Sequence, residues 1–337
     1  MTWTLETLCR RRVRYDDLVP CRNAFVDTRS PGSDRKENFT IIGPGVAESA
    51  DQHVHIPEPH GFNVGGARQP DGCLNSQHSH EGAEVFVVHT GHWRLYFGPE
   101  KEDGSLDIGP GDVVSVPVHM FRGFEKLDAG TGFLWVVLGG DDPGRVRWAP
   151  SVFELAEQHG LVLLKSGRLV DRSAGETVPE DEEVETAPRA GEVARLVTPS
   201  PERLAQCLVR HEALRGNPDA VLAASGVEEC SVIAPAASGD GFAPGPIIGW
   251  WPHGFQLRVL RLTEDAATAD YHCEEPEVLF VQSGRIRLIS EAGELTLATG
   301  DTFTSPQGWT HRLEADADAE VVVVRGGDAP AGPRLVA

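Results

Sequence analysis

The stretch from Gly72 to Gly91 reads GCLNSQHSHEGAEVFVVHTG, and it predicts the fold of the chain. His78 and His80 are two residues apart, so on an extended strand both rings project to the same side. Glu84 follows a short bend and begins an apolar run. Two imidazoles and one carboxylate are the donor set of a facial triad, which leaves positions open on a divalent metal. The spacing therefore predicts a metal site beside a β-strand.

This stretch resembles the first motif of the cupin superfamily, in which a glycine, a His-x-His pair, a glutamate and a second glycine are spaced as they are here. The resemblance implies a jelly-roll barrel of antiparallel strands, also called a double-stranded β-helix. Beyond the motif, short apolar runs alternate with turn signals, which is the pattern of an all-β protein.

An internal repeat indicates that the barrel is present twice. The sequence PHGF at residues 59–62 recurs at residues 252–255, an offset of 193 residues. At the same offset Glu84 falls on Glu277. One supersecondary unit is therefore duplicated. The predicted fold is all-β, with two tandem cupin barrels and a few short helices, which is the organisation of a bicupin.

The chain of 337 residues divides into four predicted parts. An N-terminal arm covers residues 1–50, and the N-terminal cupin barrel covers residues 51–150. A helix-containing linker region with an acidic loop covers residues 151–229, and the C-terminal cupin barrel covers residues 230–337. We expect a homodimer or larger assembly, because the arm has no obvious place on a monomer and such arms commonly lie across a partner subunit.

Two short helices are predicted in the linker region. One covers residues 151–159 with Ser151 as its N-cap, and the other lies near residues 200–212 and begins at Ser200-Pro201. Between them, residues 173–192 are acidic and poor in large apolar side chains. This composition is typical of an exposed loop.

Composition excludes several classes of function. The net charge of −21 and the pI near 5.0 leave no basic face for nucleic acid or an anionic membrane. No segment has the apolar length of a membrane helix, and no secretory signal is recognisable at the N-terminus. The six cysteines are scattered without CxxC pairs, which is typical of free thiols in a cytoplasmic protein.

The second cupin motif, a glycine-rich turn that ends in a metal-binding histidine, is complete only in the C-terminal half. There GDTFTSPQGWTH ends in His311. In the N-terminal half Arg122 takes the position of that histidine, and His119 replaces a glycine of the motif. We predict a metal site at His78, His80 and Glu84, with His119 as a possible fourth ligand.

Two roles are open to Arg122 beside that site. Its guanidinium is a permanently charged fork, so it could anchor an anionic substrate as a catalytic residue. Alternatively it pairs with Glu84 and takes that carboxylate from the metal. The apolar wall of the pocket is predicted from the aromatic and methionine side chains nearest the motifs, which are Phe86, Met120, Phe121 and Phe124.

The first motif is eroded in the C-terminal half, and two registers are open there. The ungapped repeat places Tyr271 and Cys273 at the positions of the two histidines. A slip of one residue places His272 at a ligand position instead. In that register His272, Glu277 and His311 form a second metal site, which we rank below the N-terminal one.

The resemblance extends to two-barrel enzymes such as gentisate and quercetin dioxygenases. It implies a metal-dependent oxidoreductase that acts on a small, anionic phenolic or hydroxy-acid substrate. Fe(II) is the expected metal, ahead of Mn, Ni, Cu or Zn. The alternatives are a metal-dependent decarboxylase or isomerase, and a bicupin that binds a small molecule without catalysis.

Overall fold

The computed structural model describes residues 3–234, 245–247, 251–327 and 332–336. It confirms the predicted fold class of two tandem cupin barrels, because each half of the chain folds into antiparallel sheets packed face to face. No helix in these ranges is long and apolar enough to cross a membrane.

The first half of the chain carries most of the N-terminal barrel. Its elements are α1 (Leu5–Cys9), β1 (Arg12–Val13), β2 (Glu37–Ile42), β3 (Val54–Ile56), β4 (Phe62–Pro70), β5 (Leu74–Ser79), β6 (Glu84–Thr90), β7 (Trp93–Phe97), β8 (Gly104–Ile108), β9 (Val113–Val116), β10 (Arg122–Lys126), β11 (Thr131–Gly139) and β12 (Arg147–Trp148). The central region adds α2 (Pro150–Gln158), β13 (Leu161–Leu163), β14 (Leu169–Asp171), α3 (Ala190–Val193), α4 (Pro201–Ala205) and β15 (Leu208–Val209).

The remaining strands build the C-terminal barrel. They are β16 (Val227–Ile233), β17 (Phe255–Leu262), β18 (Tyr271–His272), β19 (Glu277–Ser283), β20 (Arg285–Ser290), β21 (Gly293–Ala298), β22 (Thr302–Ser305), β23 (Arg312–Ala315), β24 (Ala319–Gly326) and β25 (Arg334–Leu335).

Each barrel is made of two facing sheets. In the N-terminal barrel the strand order is β15-β9-β6-β11-β4-β2-β3 in one sheet and β12-β5-β10-β7-β8 in the other. In the C-terminal barrel the larger sheet has the order β1-β22-β19-β24-β17-β16, and it faces β21-β20-β23. The metal motif spans both sheets of the first barrel, because β5 and β6 belong to different sheets.

The two large sheets pack against each other and join the barrels through one apolar core. In β6, Val85 and Val87 belong to this shared core, while Phe86 and Val88 point into their own barrel. Because both faces of the strand are covered, it is a continuous apolar run without polar alternation. The duplicated strand β19 is apolar for the same reason.

The repeated PHGF segments contribute to the junction between the barrels in a reciprocal way. His60 of the first segment is hydrogen-bonded to Thr304 of the C-terminal barrel. His253 of the second segment is hydrogen-bonded to Ser115 of the N-terminal barrel, with 2.7 Å between Nε2 and Oγ. Each barrel therefore places one buried histidine in the other.

The N-terminal arm lies on the chain's own C-terminal barrel. Strand β1 pairs with β22 at the edge of the larger sheet, with Arg12 opposite Phe303. The backbone N–H of Tyr15 donates to the carboxylate of Asp301 at 3.1 Å. The arm thus has a place within a single chain, and the ground for expecting a homodimer is removed.

The predicted helices exist but differ in extent. Helix α2 begins at Pro150 with Ala149 as its N-cap, so Ser151 lies inside the first turn and is not the cap. Helix α4 ends at Ala205, shorter than predicted, because β15 begins three residues later and pairs with β9. The acidic loop is mostly exposed, as its composition predicted.

Candidate metal centre

Strand pairing brings the motif residues together at the interior of the N-terminal barrel. His78 lies on β5, directly opposite Arg122 of β10 on one side and Trp148 of β12 on the other. His80 follows β5, and its ring lies 5.3 Å from the ring of His78. Glu84 begins β6 in the facing sheet. The donor atoms of the two histidines and Glu84 all lie within 4.8 Å of one another, and all three side chains are buried.

The carboxylate of Glu84 divides its two oxygens between two partners. Oε2 accepts hydrogen bonds from Nε of Arg122 at 3.1 Å and from Nη2 of the same guanidinium. Oε1 faces Nε2 of His80 at 3.5 Å. Arg122 also donates to the backbone carbonyl of His78 at 2.9 Å. The ion pair with Arg122 therefore forms, and it leaves one oxygen of Glu84 directed at the histidines.

Burial and the Arg122 charge set the protonation states of this cluster. Burial and then the guanidinium lower the pKa of both His78 and His80, which keeps the imidazoles neutral. Burial on its own would raise the pKa of Glu84, but Arg122 and His80 outweigh it, so the pKa is lowered and the carboxylate is ionised. Neutral imidazoles and an ionised carboxylate are the forms that bind metals.

The hydrogen bonds of the cluster also fit a metal. Nδ1 of His78 donates to the carbonyl of Ser76 at 2.6 Å, which leaves Nε2 of His78 as the ligand atom. Nδ1 of His80 is buried and has no hydrogen-bond partner among the described residues. The donor set of two imidazoles and one free carboxylate oxygen suits a divalent transition metal such as Mn(II) or Fe(II).

A small cavity opens onto the three donors. Its volume is about 80 Å³, and most of its wall is aliphatic or aromatic. Phe86 and Phe124 line it. Met120 and Phe121 do not line it, although each is buried in an apolar cluster that contains lining residues.

Two predicted roles in the N-terminal site are wrong. His119 is exposed and adopts a left-handed backbone with φ of 57°, so it is not a fourth ligand beside the buried donors. Arg122 does not line the cavity, because its guanidinium is engaged by Glu84 and a backbone carbonyl. Pairing with Glu84, the alternative to substrate anchoring, is the arrangement present.

The equivalent position in the C-terminal barrel holds a different cluster. Tyr271 and Cys273 both direct their side chains at Glu277, at 3.1 Å and 3.3 Å. Nε of Arg325 donates to the same carboxylate at 2.7 Å. Nε2 of His311 lies 3.8 Å from Glu277. A guanidinium thus supplies the positive charge beside this buried carboxylate.

The predicted ligand set of His272, Glu277 and His311 is wrong in this structure. His272 lies on β18 between two inward-facing residues, so its own side chain points outward and lies 3.4 Å from Glu274. The ungapped register is correct. Burial raises the pKa of Cys273, so its thiol stays protonated and is a poor ligand. Among the described residues, the N-terminal cluster is the one metal-type donor group.

Two residues that matter to these clusters were not predicted from the sequence. Arg325 ends the apolar run of β24, and a lone arginine in VVVVRGG was the available signal. The ring of Trp148 lies 5.3 Å from the ring of His78 at an interplanar angle of 45°, but its place depends on long-range strand pairing, for which the sequence offers no local signal.

Comparisons with known proteins agree with this fold. Residues 260–325 match the cupin domain family. Oxalate decarboxylase of Bacillus subtilis has 13% identity and a TM-score of 0.57, over 100% of this chain and 80% of that chain. The oxalate decarboxylase formate complex of Lactobacillus farciminis has 12% identity and a TM-score of 0.57, over 96% of this chain and 88% of that chain.

A further structure of Bacillus subtilis oxalate decarboxylase concerns its Mn(II) centres. It has 12% identity and a TM-score of 0.57, over 100% of this chain and 80% of that chain. No curated protein sequence matches significantly. At such low identity the likeness shows the two-barrel fold, and it does not confirm the resemblance to ring-cleaving dioxygenases.

Proposed function

We propose that the chain is a metal-dependent bicupin enzyme in which His78, His80 and Glu84 hold a divalent metal, and that it decarboxylates a small carboxylate substrate. The observation that carries this proposal is the divided carboxylate of Glu84, which satisfies Arg122 with one oxygen and keeps the other for the histidine pair. When bound, the metal would supply a Lewis acid that polarises the substrate.

The charges around the cavity favour an anionic substrate. Glu84 is the one carboxylate among the described residues that line the cavity, and Arg122 neutralises it. The two histidines are neutral. No protein anion is then left to offset a bound divalent cation, so an anionic chelating group on the substrate completes the charge balance.

Decarboxylation ranks ahead of dioxygenation because oxalate decarboxylases, one of them with Mn(II) centres, are among the structures that resemble this chain. Dioxygenation with Fe(II) is the second candidate. It is favoured by the aromatic and aliphatic cavity wall, which would keep water from reactive intermediates.

Metal quantitation on three proteins tests the site. Wild type should bind one divalent ion per chain, His80→Ala should bind less than about a tenth as much, and His311→Ala should bind as wild type does. Loss of the metal in His311→Ala alone would contradict the assignment. A wild-type protein that takes up no Mn(II), Fe(II) or Co(II) would indicate a non-catalytic binding protein.

Product analysis tests the reaction. Metal-loaded protein is incubated with candidate carboxylates with and without O₂. CO₂ release without consumption of O₂ supports decarboxylation. Consumption of O₂ with incorporation of oxygen into the product would replace it by the dioxygenase alternative.

A further inference from the structure

The metal cavity has a larger neighbour, with which it shares part of its wall. A second chamber of about 850 Å³ adjoins it, between the N-terminal barrel and residues 185–192 of the linker region. The two spaces share five lining residues, which are Gly45, Val46, Ala47, Val146 and Trp148. A molecule that reaches the donors through the chamber must therefore pass the side chains at this boundary.

Trp148 is the bulkiest residue of that boundary and is held in place on both sides. Its ring lies 5.3 Å from the ring of His78 and 5.8 Å from the ring of Phe25. Its indole N–H donates to Oε1 of Glu48 at 2.7 Å, and Glu48 lines the outer chamber. Trp148 is thus a fixed side chain at the boundary between the inner cavity and the chamber.

The inner cavity is too small for a whole substrate of ordinary size and lacks a second anion-binding group. About 80 Å³ holds roughly six water-sized groups. No lysine or arginine is among the described residues that line it. The oxygens of a compact dicarboxylate that do not reach the metal would face a mainly apolar wall without a charged partner, which is costly.

We propose that the substrate carries a small anionic chelating head on an apolar segment, and that Trp148 determines which segments reach the donors. This inference rests on the proposed metal function and adds a substrate class to it. The head binds at the donors, the apolar segment contacts Trp148 and the aromatic wall, and the remainder of the molecule occupies the chamber.

The test measures binding to Co(II)-loaded protein by its visible absorption spectrum. Three probes form a matched series: oxalate, pyruvate and phenylpyruvate. Phenylpyruvate should bind at least about tenfold more tightly than pyruvate, because its ring gains apolar burial that the methyl group lacks. Oxalate should bind less tightly than phenylpyruvate.

Variants assign the selectivity to Trp148. Trp148→Leu should reduce the selectivity, defined as the pyruvate dissociation constant divided by the phenylpyruvate dissociation constant, at least fivefold, with both constants measured on protein saturated with Co(II). Trp148→Phe is the variant that preserves the fold, and it should shift the ratio in the same direction by less. Trp93→Leu is the control, since Trp93 is equally buried in the same barrel and lines neither space.

The outcomes separate this inference from the proposed function. If Co(II) binds and depends on His80, but oxalate or pyruvate binds as tightly as phenylpyruvate, the substrate class is wrong and the metal site stands. If the ratio does not change in either Trp148 variant, the role of Trp148 is wrong. If Co(II) does not bind, the inference falls together with the proposed function.

Discussion

Glu84 shows how a buried carboxylate can serve two partners at once. From the sequence, we treated pairing with Arg122 and binding to a metal as exclusive alternatives. Both would use the single negative charge of Glu84. The structure separates them onto Oε2 and Oε1. Arg122 thereby keeps Glu84 ionised in a buried site, and in the proposed metal site it would act on metal affinity through this carboxylate.

The ion pair should dominate the stability of the metal-free site. We expect Arg122→Leu to lower the free energy of unfolding by about 3–5 kcal/mol, since it leaves Glu84 buried and uncompensated. Arg147→Leu is the matched control, because Arg147 pairs with Glu81 at the surface, where such pairs contribute less than about 1 kcal/mol. Urea unfolding of the metal-free proteins measures both. Equal losses of unfolding free energy in the two variants would show that the buried ion pair contributes no more to stability than the surface pair.

Glu48 should make stability depend on pH. Burial raises the pKa of this carboxyl from 4.5 to about 8, against the opposing effect of its hydrogen bond with Trp148. The protonated form is thus favoured by folding, and its contribution is present below pH 4.5 and lost as the pH rises through about 8. Between these values wild type should lose stability relative to Glu48→Gln.

Thermal unfolding of both proteins across this range measures the difference. Glu183→Gln serves as the control, because the hydrogen bond from Lys165 lowers the pKa of this exposed carboxyl. Its contribution is lost as the pH falls, which is the opposite direction. A constant difference between wild type and Glu48→Gln at all pH values would contradict the raised pKa.

At the level of elements, the two barrels exchange their leading segments. Strand β1, which precedes the N-terminal barrel, covers the edge strand β22 of the C-terminal barrel. Strand β15, which precedes the C-terminal barrel, covers the edge strand β9 of the N-terminal barrel. Each pairing protects an exposed sheet edge from association with other chains.

The anchoring contacts are equivalent in the two segments. The backbone N–H of Tyr15 donates to Asp301, and the backbone N–H of His211 donates to Asp112 at 3.0 Å. Each aspartate is preceded in the sequence by a glycine with positive φ. One of these glycines packs against the ring of Tyr15 and the other against the ring of His211. A side chain at either glycine would collide with the ring beside it.

Because each anchor holds its own segment, the loss of one anchor should raise amide hydrogen exchange in that segment alone. Asp301→Ala should raise amide hydrogen exchange in residues 12–18 by about ten- to a hundredfold, because a hydrogen bond to a charged group contributes about 1.5–3 kcal/mol. Asp112→Ala should do the same in residues 208–214, and each variant is the control for the other. Faster exchange in both segments of both variants would indicate global destabilisation and contradict independent anchors.

The duplicated barrels could be predicted from the sequence, because the repeat and the alternation of short apolar runs with turns can be read without knowing which strands pair. The exchanged segments were not predicted, although VRYDDL at residues 13–18 and VRHEAL at residues 209–214 share three positions. Their spacing differs from that of the barrel repeat by three residues, and each pairs with a distant strand. His272 was predicted as a metal ligand because it is the one histidine in the eroded motif. The structure follows the ungapped register instead, in which the side chains of Tyr271 and Cys273 face inward and that of His272 faces outward.

For the whole molecule, duplication has produced one centre suited to a metal and one closed by protein groups. In the N-terminal barrel the cation partner of Glu84 comes from β10 of the facing sheet and leaves one oxygen free. In the C-terminal barrel Tyr271, Cys273 and Arg325 together satisfy Glu277.

The contact between the two barrels should make them unfold together. Trp135 of the N-terminal barrel stacks on Phe280 of the C-terminal barrel, with 4.9 Å between ring centroids, and its indole N–H donates to Thr302 at 3.2 Å. Both rings belong to the apolar core shared by the barrels. Breaking this contact should weaken the coupling more than it weakens either barrel.

We expect wild type to unfold in a single thermal transition, and Trp135→Phe to separate it into two or broaden it markedly, because the hydrogen bond to Thr302 and part of the stacking are lost. Trp93→Phe is the matched control: Trp93 is also fully buried and donates one hydrogen bond, but within its own barrel. It should shift the midpoint and leave one transition. Calorimetry distinguishes the two, and a single sharp transition in Trp135→Phe would show that the barrels are coupled elsewhere.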